Sequence, residues 1–416
     1  MSDSNGLSAY RWVIELLIII AWINLMVVWL APVPLLEPIV KSLSINLGQF
    51  GLIISIIALC IAIFSFLAAI VAARLGALRT LLLGFWTLSV ATLLSGYTHS
   101  YSALLLCRVF EGIGFGLMIA PPGTLVTQWF GQHEWVYINT VNGLCAYFGM
   151  IVVFRFTVPL FYAVGTWQSA MWWYGVAAIA GAVLWTILGR ERKTEAVSAE
   201  THAAAQSGAS PLEVIKMRPV LLCTLAFSGA MWVFQLYAAF LPGFFQSYRG
   251  MNMADASGLT ALLPIAGAFG ALAGGILTIV TGLRKPFLWP VMTLMLIGSL
   301  GSVGLSNPAA IKVALIVFGI GASAHLTALT TVLMEAPGMT PAKVGTALAL
   351  MFSLGYACAF LSPVVGGALA GAFGLQAVMI GFLVVQLVPI FSFLALAETG
   401  PGRAALKAVP EAAQVR

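Results

Sequence analysis

Two opposite charges interrupt an otherwise apolar run: Arg108 and Glu111 in Leu104-Leu-Leu-Cys107-Arg108-Val-Phe-Glu111-Gly112. On a helix, residues three apart share a face and can pair. Such a pair has two readings. It can be a fixed ion pair that orients its helix, or Glu111 can be a proton site, loaded when a solute draws Arg108 away. Arg155, among Val, Phe and Thr, also has two. It can stretch its guanidinium to a nearby polar interface, or it can join Arg108 around Glu111, leaving a positive surplus suited to a carboxylate or small oxyanion. His325 stands among small residues in Gly319-Ile-Gly321-Ala-Ser-Ala-His325. It is either a packed, hydrogen-bonded imidazole or a cavity ligand able to bind a proton or a solute. Asn139 and Asn142 lie one turn apart, and Asn142 is about 220° of helical rotation from Arg155, so a straight helix cannot aim both at one point. One of the two asparagines is therefore expected to bond a neighbouring helix. Trp22, Asn24, Trp29, Trp232 and Gln235 form an aromatic and amide set suited to a small organic ligand. Trp167, Trp172 and Trp173 read as interfacial belt residues.

These groups are embedded in a chain of 416 residues that is 61% hydrophobic and 8% charged. Soluble domains carry about 25% charge, and this chain lacks the polar side chains to cover a water-facing surface. Lipid is the alternative solvent, where a span needs about 20 apolar residues and must satisfy its own backbone hydrogen bonds as a helix. A charge inside such a span costs roughly 2.5–3.5 kcal/mol, which is why the few that occur are expected to pair or to line a wet cavity. Charged, polar and Gly/Pro clusters divide the chain into twelve spans: 11–36, 48–73, 80–98, 102–129, 136–163, 168–189, 219–242, 256–280, 286–305, 309–334, 345–372 and 376–397. The fold class is all-α integral membrane. Its expected parts are a six-helix bundle over 1–189, a polar linker over 190–217, a second six-helix bundle over 218–398 and a tail over 399–416. The short polar start, Met1 to Tyr10, lacks a cleavage site of small residues, so the first apolar run reads as a span and not as a removed leader.

Basic residues alternate between the two sides. With both termini on one side, that side holds fourteen of the nineteen Lys and Arg, and the other holds Lys41, Arg249 and Lys312. The bias places the termini and the linker in the cytoplasm, in an expected bacterial inner membrane. It also accounts for the net charge of +6 without nucleic acid. Glu15, one turn into the first span at the cytoplasmic end, reads as a snorkelling or interfacial group, with a coupling carboxylate as the alternative. The five cysteines lie in apolar runs without CxxC or metal-ligand spacing, and no Walker motif, catalytic triad or metal cluster is present. Neither an enzyme nor a cofactor is expected.

The halves repeat weakly. Ala69-Ile-Val-Ala-Ala73-Arg74-Leu-Gly76-Ala-Leu-Arg79 follows the second span, and Gly275-Ile-Leu-Thr-Ile279-Val280-Thr-Gly282-Leu-Arg284-Lys285 follows the eighth. With the Arg-and-glycine pattern of the fourth span (Arg108, Gly112, Gly114, Gly116, then Pro121 and Pro122), the chain resembles the major facilitator superfamily throughout. Within it, Leu30-Ala-Pro-Val-Pro34-Leu-Leu-Glu37-Pro38 and the eleventh span around Pro363-Val-Val-Gly366-Gly367 are most similar to the cyanate-permease-like and anion:cation symporter branches. The chain departs from those patterns in three places. Ala69 and Ala73 replace the Gly and Asp of the loop motif, Asn24-Leu25-Met26 lacks the basic residue of Asn-Leu-Arg, and the drug-antiporter element of span five is absent.

The resemblance implies a secondary transporter that works by alternating access around a midplane site between the repeats. It implies a small organic or inorganic anion as solute, moved with protons by a monomer in contact with lipid. Substrate contacts are expected from Asn24, Arg108, Asn142, Arg155, Trp232, Gln235 and His325, proton coupling from Glu111 and His325, and conformational roles from Arg74, Gly76, Arg79, Gly275, Gly282 and Pro363. Two alternatives stand beside this: a proton-driven exporter of hydrophobic or cationic compounds, and a membrane sensor or assembly partner without transport.

Overall fold

In the computed structural model, residues 9–131, 133–192 and 210–402 are described. Most of the expected linker, 193–209, and the tail from 403 onward lie outside them. The chain forms twelve helices long and apolar enough to cross a membrane. We number them α1 (Arg11–Leu43), α2 (Leu47–Leu75), α3 (Ala77–Ser95), α4 (Tyr101–Trp129), α5 (Trp135–Val164) and α6 (Trp167–Leu188) in the first half. The second half holds α7 (Arg218–Arg249), α8 (Met253–Thr281), α9 (Lys285–Gly304), α10 (Pro308–Glu335), α11 (Pro341–Phe373) and α12 (Leu375–Leu394). Large apolar side chains such as Phe269, Ile279, Val280, Phe373 and Phe391 stand exposed along them. Contiguous apolar surface on this scale is a liability in water and a requirement in lipid. The protein is an integral multi-pass membrane protein.

Most span ends fall within a few residues of their expected places. α1 and α7 are the exceptions, each running seven residues past its expected end, to Leu43 and, beyond Pro242, to Arg249. Proline there removes one backbone donor, which a helix packed among others tolerates.

The two six-helix pseudo-repeats share local devices. α4 breaks after Met118 and restarts at Pro121, and α10 breaks after Ser323 and restarts at Leu326. In α3, the Thr92 hydroxyl donates to Leu88 O and the Ser95 hydroxyl to Thr92 O. In α9, Ser299 and Ser302 donate to Met295 O and Ser299 O with the same spacing. Gly76 (φ 89°) and Gly282 (φ 64°) turn the chain after α2 and α8 in a backbone region that favours glycine.

A carboxylate then caps each of these turns. Glu191, just after α6, accepts from Ala77 N (3.0 Å) and Leu78 N (3.4 Å). Glu398, just after α12, accepts from Arg284 N and Lys285 N, both at 2.9 Å. Each anion meets the free N–H groups of a helix start, where it is favoured. Replacing either Glu by Ala is expected to cost about 1 kcal/mol, as for other lost N-terminal caps. Thermal melts of the two single variants and the double check this, and the two losses should add because the sites are separate.

Packing divides the chain into two compact units. The first joins Met1–Gln206 with Ala238–Ala261 and Ala359–Leu375, and the second joins Ser207–Tyr237, Leu262–Cys358 and Gln376–Arg416. In the first unit, one end is shut by backbone packing. A Cβ on Gly51 would lie 2.3 Å from Pro363 O, and one on Gly367 would lie 2.4 Å from Leu47 O. Phe50 meets Phe240 with ring centroids 6.4 Å apart, and Ser257 Oγ donates to Phe154 O at 2.6 Å. In the second unit, α8 and α10 touch where a Cβ on Gly270 would meet Ser323 Oγ and one on Gly274 would meet Ala324 O. Gly275, expected in that role, has only ordinary contact with Thr327 Oγ1, because it lies one residue off the touching face.

Candidate functional site

The best-organised polar group of the first unit starts from a proline. Pro32 has no N–H, so the Val28 carbonyl one turn back in α1 loses its helical donor. Arg108 of α4 supplies one. Its NH1 donates to Val28 O (2.8 Å) and to Glu111 Oε2 (2.6 Å), NH2 to Trp29 O (2.6 Å) and Nε to Ile53 O of α2 (3.0 Å). Four of the five guanidinium N–H groups are thereby engaged. Arg108 and Glu111 are 2% and 1% exposed, so three helices are stapled in a dry interior. Of the two readings of this pair, the geometry is that of the fixed one.

A second buried carboxylate lies elsewhere in the same unit. Glu15 of α1 is 4% exposed, covered by neighbouring helices. It faces Asn142 and Cys145 of α5. Asn142 is 7% exposed while Asn139 is exposed, so Asn142 is the member of that pair turned toward a neighbouring helix. Asn24 donates back to Ile20 O (2.9 Å), and its amide borders Gly181 of α6.

Arg155 is exposed and belongs to a stripe of exposed residues on α5 with Phe148, Phe156 and Tyr162. Its guanidinium lies 3.3 Å from where a Gly258 Cβ would be. The ion pairs among the described residues are Arg11–Glu134, Lys41–Glu37, Arg108–Glu111 and Arg284–Glu335. The expected pairing of Arg155 with Glu111 is therefore not formed, because Arg155 points from the exposed face of α5 and Glu111 is enclosed. Arg155→Gln is accordingly expected to change stability by no more than about 0.5 kcal/mol, the range of ordinary surface substitutions, as measured by thermal unfolding.

In the second unit, Gln235 of α7 is 2% exposed and its Nε2 has no acceptor; His325 is 2% exposed at the break in α10 and neither ring nitrogen is within hydrogen-bond geometry of a partner. The Gly321 carbonyl one turn back faces His325, and Phe393 packs 6.4 Å from its ring. Trp232 leans on Phe382 at 5.3 Å, beside a 3-10 stretch, Phe382–Gln386, within α12. Gln386, not singled out from the sequence, is wholly buried there with an unbonded Oε1. Buried polar atoms left without partners are uncommon and need a physical reason. Arg74 and Arg79 are exposed and, among the described residues, in no ion pair, while the Pro363 carbonyl is the group that meets Gly51. Among the described residues, no cluster of three His, Cys, Asp or Glu could hold a metal.

The Major Facilitator Superfamily sequence profile matches residues 17–363. The chain belongs to that superfamily. Its fold is shared with a bacterial homolog of the human lysosomal transporter Spinster, solved in an inward-facing, unoccupied conformation. That structure is 17% identical, with a TM-score of 0.76 over 97% of this chain and 99% of that one. The nucleoside transporter NupG matches at 14% identity with a TM-score of 0.71, over 92% of this chain and 99% of that one. Among superfamily members compared by sequence, a hexuronate transporter of Bacillus subtilis is 26% identical over 56% of each chain. A probable L-galactonate transporter of Escherichia coli is 25% identical over 57% of this chain and 55% of its own. A probable sulfoacetate transporter of Cupriavidus necator is 24% identical over 57% and 58%. The match spans little more than half the length of each relative. This protein is a superfamily member with twelve helices, among the described residues, long and apolar enough to cross a membrane.

Proposed function

We propose that the chain is a secondary carrier of a small organic anion, moved by alternating access and driven by a proton gradient. The observation that carries the substrate class is chemical. Hexuronate, L-galactonate and sulfoacetate, the solutes named for three relatives, are all small carboxylates or sulfonates. With Arg108 engaged, Gln235 Nε2 is one of several buried donors without an acceptor among the described residues, beside His325 and the Thr224 hydroxyl of the same unit, and a solute oxygen is a partner it can take. The count of basic residues assigns the termini to the cytoplasm, in a bacterial inner membrane. The end of the first unit shut by Gly51 and Gly367 is then the outer one.

Thermal unfolding of the purified protein with glucuronate, galactonate or sulfoacetate tests the substrate class. A ligand that binds only the native state at a hundred times its Kd adds about 2.7 kcal/mol, so at least one of these anions should raise the melting temperature. Stabilisation by a lipophilic cation such as tetraphenylphosphonium, with none by the anions, would replace this reading with the exporter.

A further inference from the structure

The first unit buries two carboxylates and treats them differently. Glu111 is held by Arg108 at 2.6 Å. Glu15 is 4% exposed, and among the described residues no cation lies within ion-pair distance and neither of its oxygens has a donor. The side chain facing it, Asn142, is itself 7% exposed with its Oδ1 unbonded. Both Glu15 oxygens and Asn142 Oδ1 are thus buried acceptors outside hydrogen-bond geometry of any donor among the described residues, with the Asn142 amide N–H as the neutral donor that faces the carboxylate. An unmatched buried acceptor costs about 1–3 kcal/mol, and more when charged.

We propose that Glu15 is the carboxylate that takes up and releases a proton, with the Asn142 amide as its neutral partner. A proton turns one Glu15 oxygen into an O–H donor, and Asn142 Oδ1 is an acceptor in want of one. A single proton thus satisfies an atom on each of two helices and removes the uncompensated charge. Its loss restores a carboxylate that only water can solvate, so deprotonation requires α1 and α5 to admit solvent there.

The surrounding groups leave this proton to Glu15. On its own helix, Arg11 lies one turn toward the chain start and is bonded to Glu134 of the loop before α5 at 3.1 Å. Tyr10 donates to Leu188 O and carries Arg190 over its ring at 4.4 Å. From α5 the titratable neighbour is Cys145. On α6, Tyr174 is bonded to Thr157 at 2.7 Å, and on α4, Arg108 and Glu111 are bonded to each other against Val28 and Trp29, more than three turns along α1 from Glu15.

For the carrier, this names the coupling carboxylate of the proposed proton-driven reading, but its test needs no solute. The full chain in lipid nanodiscs is titrated with pH while the carboxylic C=O stretch is followed by infrared spectroscopy. A protonated-carboxyl band that fades as pH rises is expected. It should vanish in Glu15→Gln, move in frequency in Glu15→Asp, which keeps the carboxyl if the amide variant does not fold, and shift its midpoint in Asn142→Leu. A band unchanged in both Glu15 variants, or no titrating band in the wild type, overturns the proposal. Failure of every anion to stabilise the protein would count against the substrate class and leave this result standing.

Discussion

Arg108→Met is expected to cost about 3–5 kcal/mol, the loss typical of removing one member of a buried ion pair. The variant leaves Glu111 buried and uncompensated, and it strips donors from the carbonyls of Val28, Trp29 and Ile53. The Val28 carbonyl, which Pro32 leaves without a helical donor, adds about 1–3 kcal/mol if nothing moves, while the Ile53 carbonyl keeps the N–H of its own helix. Removing the carboxylate as well, in Arg108→Met with Glu111→Leu, should recover only part of the loss. Val28 stays without a helical donor as long as Pro32 follows it. Arg108→Lys should fall between, because an ammonium is a point charge that cannot span three backbone acceptors and a carboxylate in one plane. Thermal unfolding in detergent orders the three variants. A double variant as stable as the wild type would show that the carbonyl contacts contribute nothing.

The second large effect is expected from one or two methyl groups. Gly51→Ala places a Cβ 2.3 Å from Pro363 O, and Gly367→Ala one 2.4 Å from Leu47 O. Both distances are far inside van der Waals contact with backbone, which cannot rotate away. The helices themselves should tolerate alanine well, since it is the best helix former. The substitutions therefore penalise the shut end of the first unit and leave the individual spans intact. If transport alternates through this shut state, a penalty of only 1.4 kcal/mol depopulates it about tenfold. The double variant should lose at least that much glucuronate flux, and a cysteine placed at Asn46 should react faster with an aqueous thiol reagent. Unchanged flux with unchanged labelling would mean that the contact yields without cost and plays no part in the cycle.

The span pattern was legible in the sequence because twenty consecutive apolar residues have no other stable solution in this composition. The turns at Gly76 and Gly282 were legible for the same kind of reason, as glycines followed by basic residues at matching places in the halves. The staple at Arg108 was half legible. Its pairing with Glu111 follows from spacing, while its grip on Val28 follows from Pro32, a connection between α1 and α4 that only packing creates. Glu15 and Arg155 show what a uniformly apolar helix conceals. Depth can be counted along the chain, but the direction of a side chain around such a helix depends on which neighbour covers it. So Glu15, near a chain end, is covered by α5, and Arg155, at a depth like that of Arg108, stands on an exposed face. The caps by Glu191 and Glu398 carried a signal that a closer alignment of the halves would have found, since each follows the last span of its half. The break at His325 carried none, for no proline or glycine marks it as Pro121 marks its counterpart in α4.

Purified protein reconstituted into liposomes and given labelled glucuronate, with and without an inwardly directed proton gradient, addresses the carrier most directly. Accumulation above the outside concentration only when the gradient is present is the predicted result. Equal uptake with and without the gradient would contradict the proton-driven mechanism. No flux of glucuronate, galactonate or sulfoacetate under any gradient would contradict an organic-anion carrier altogether.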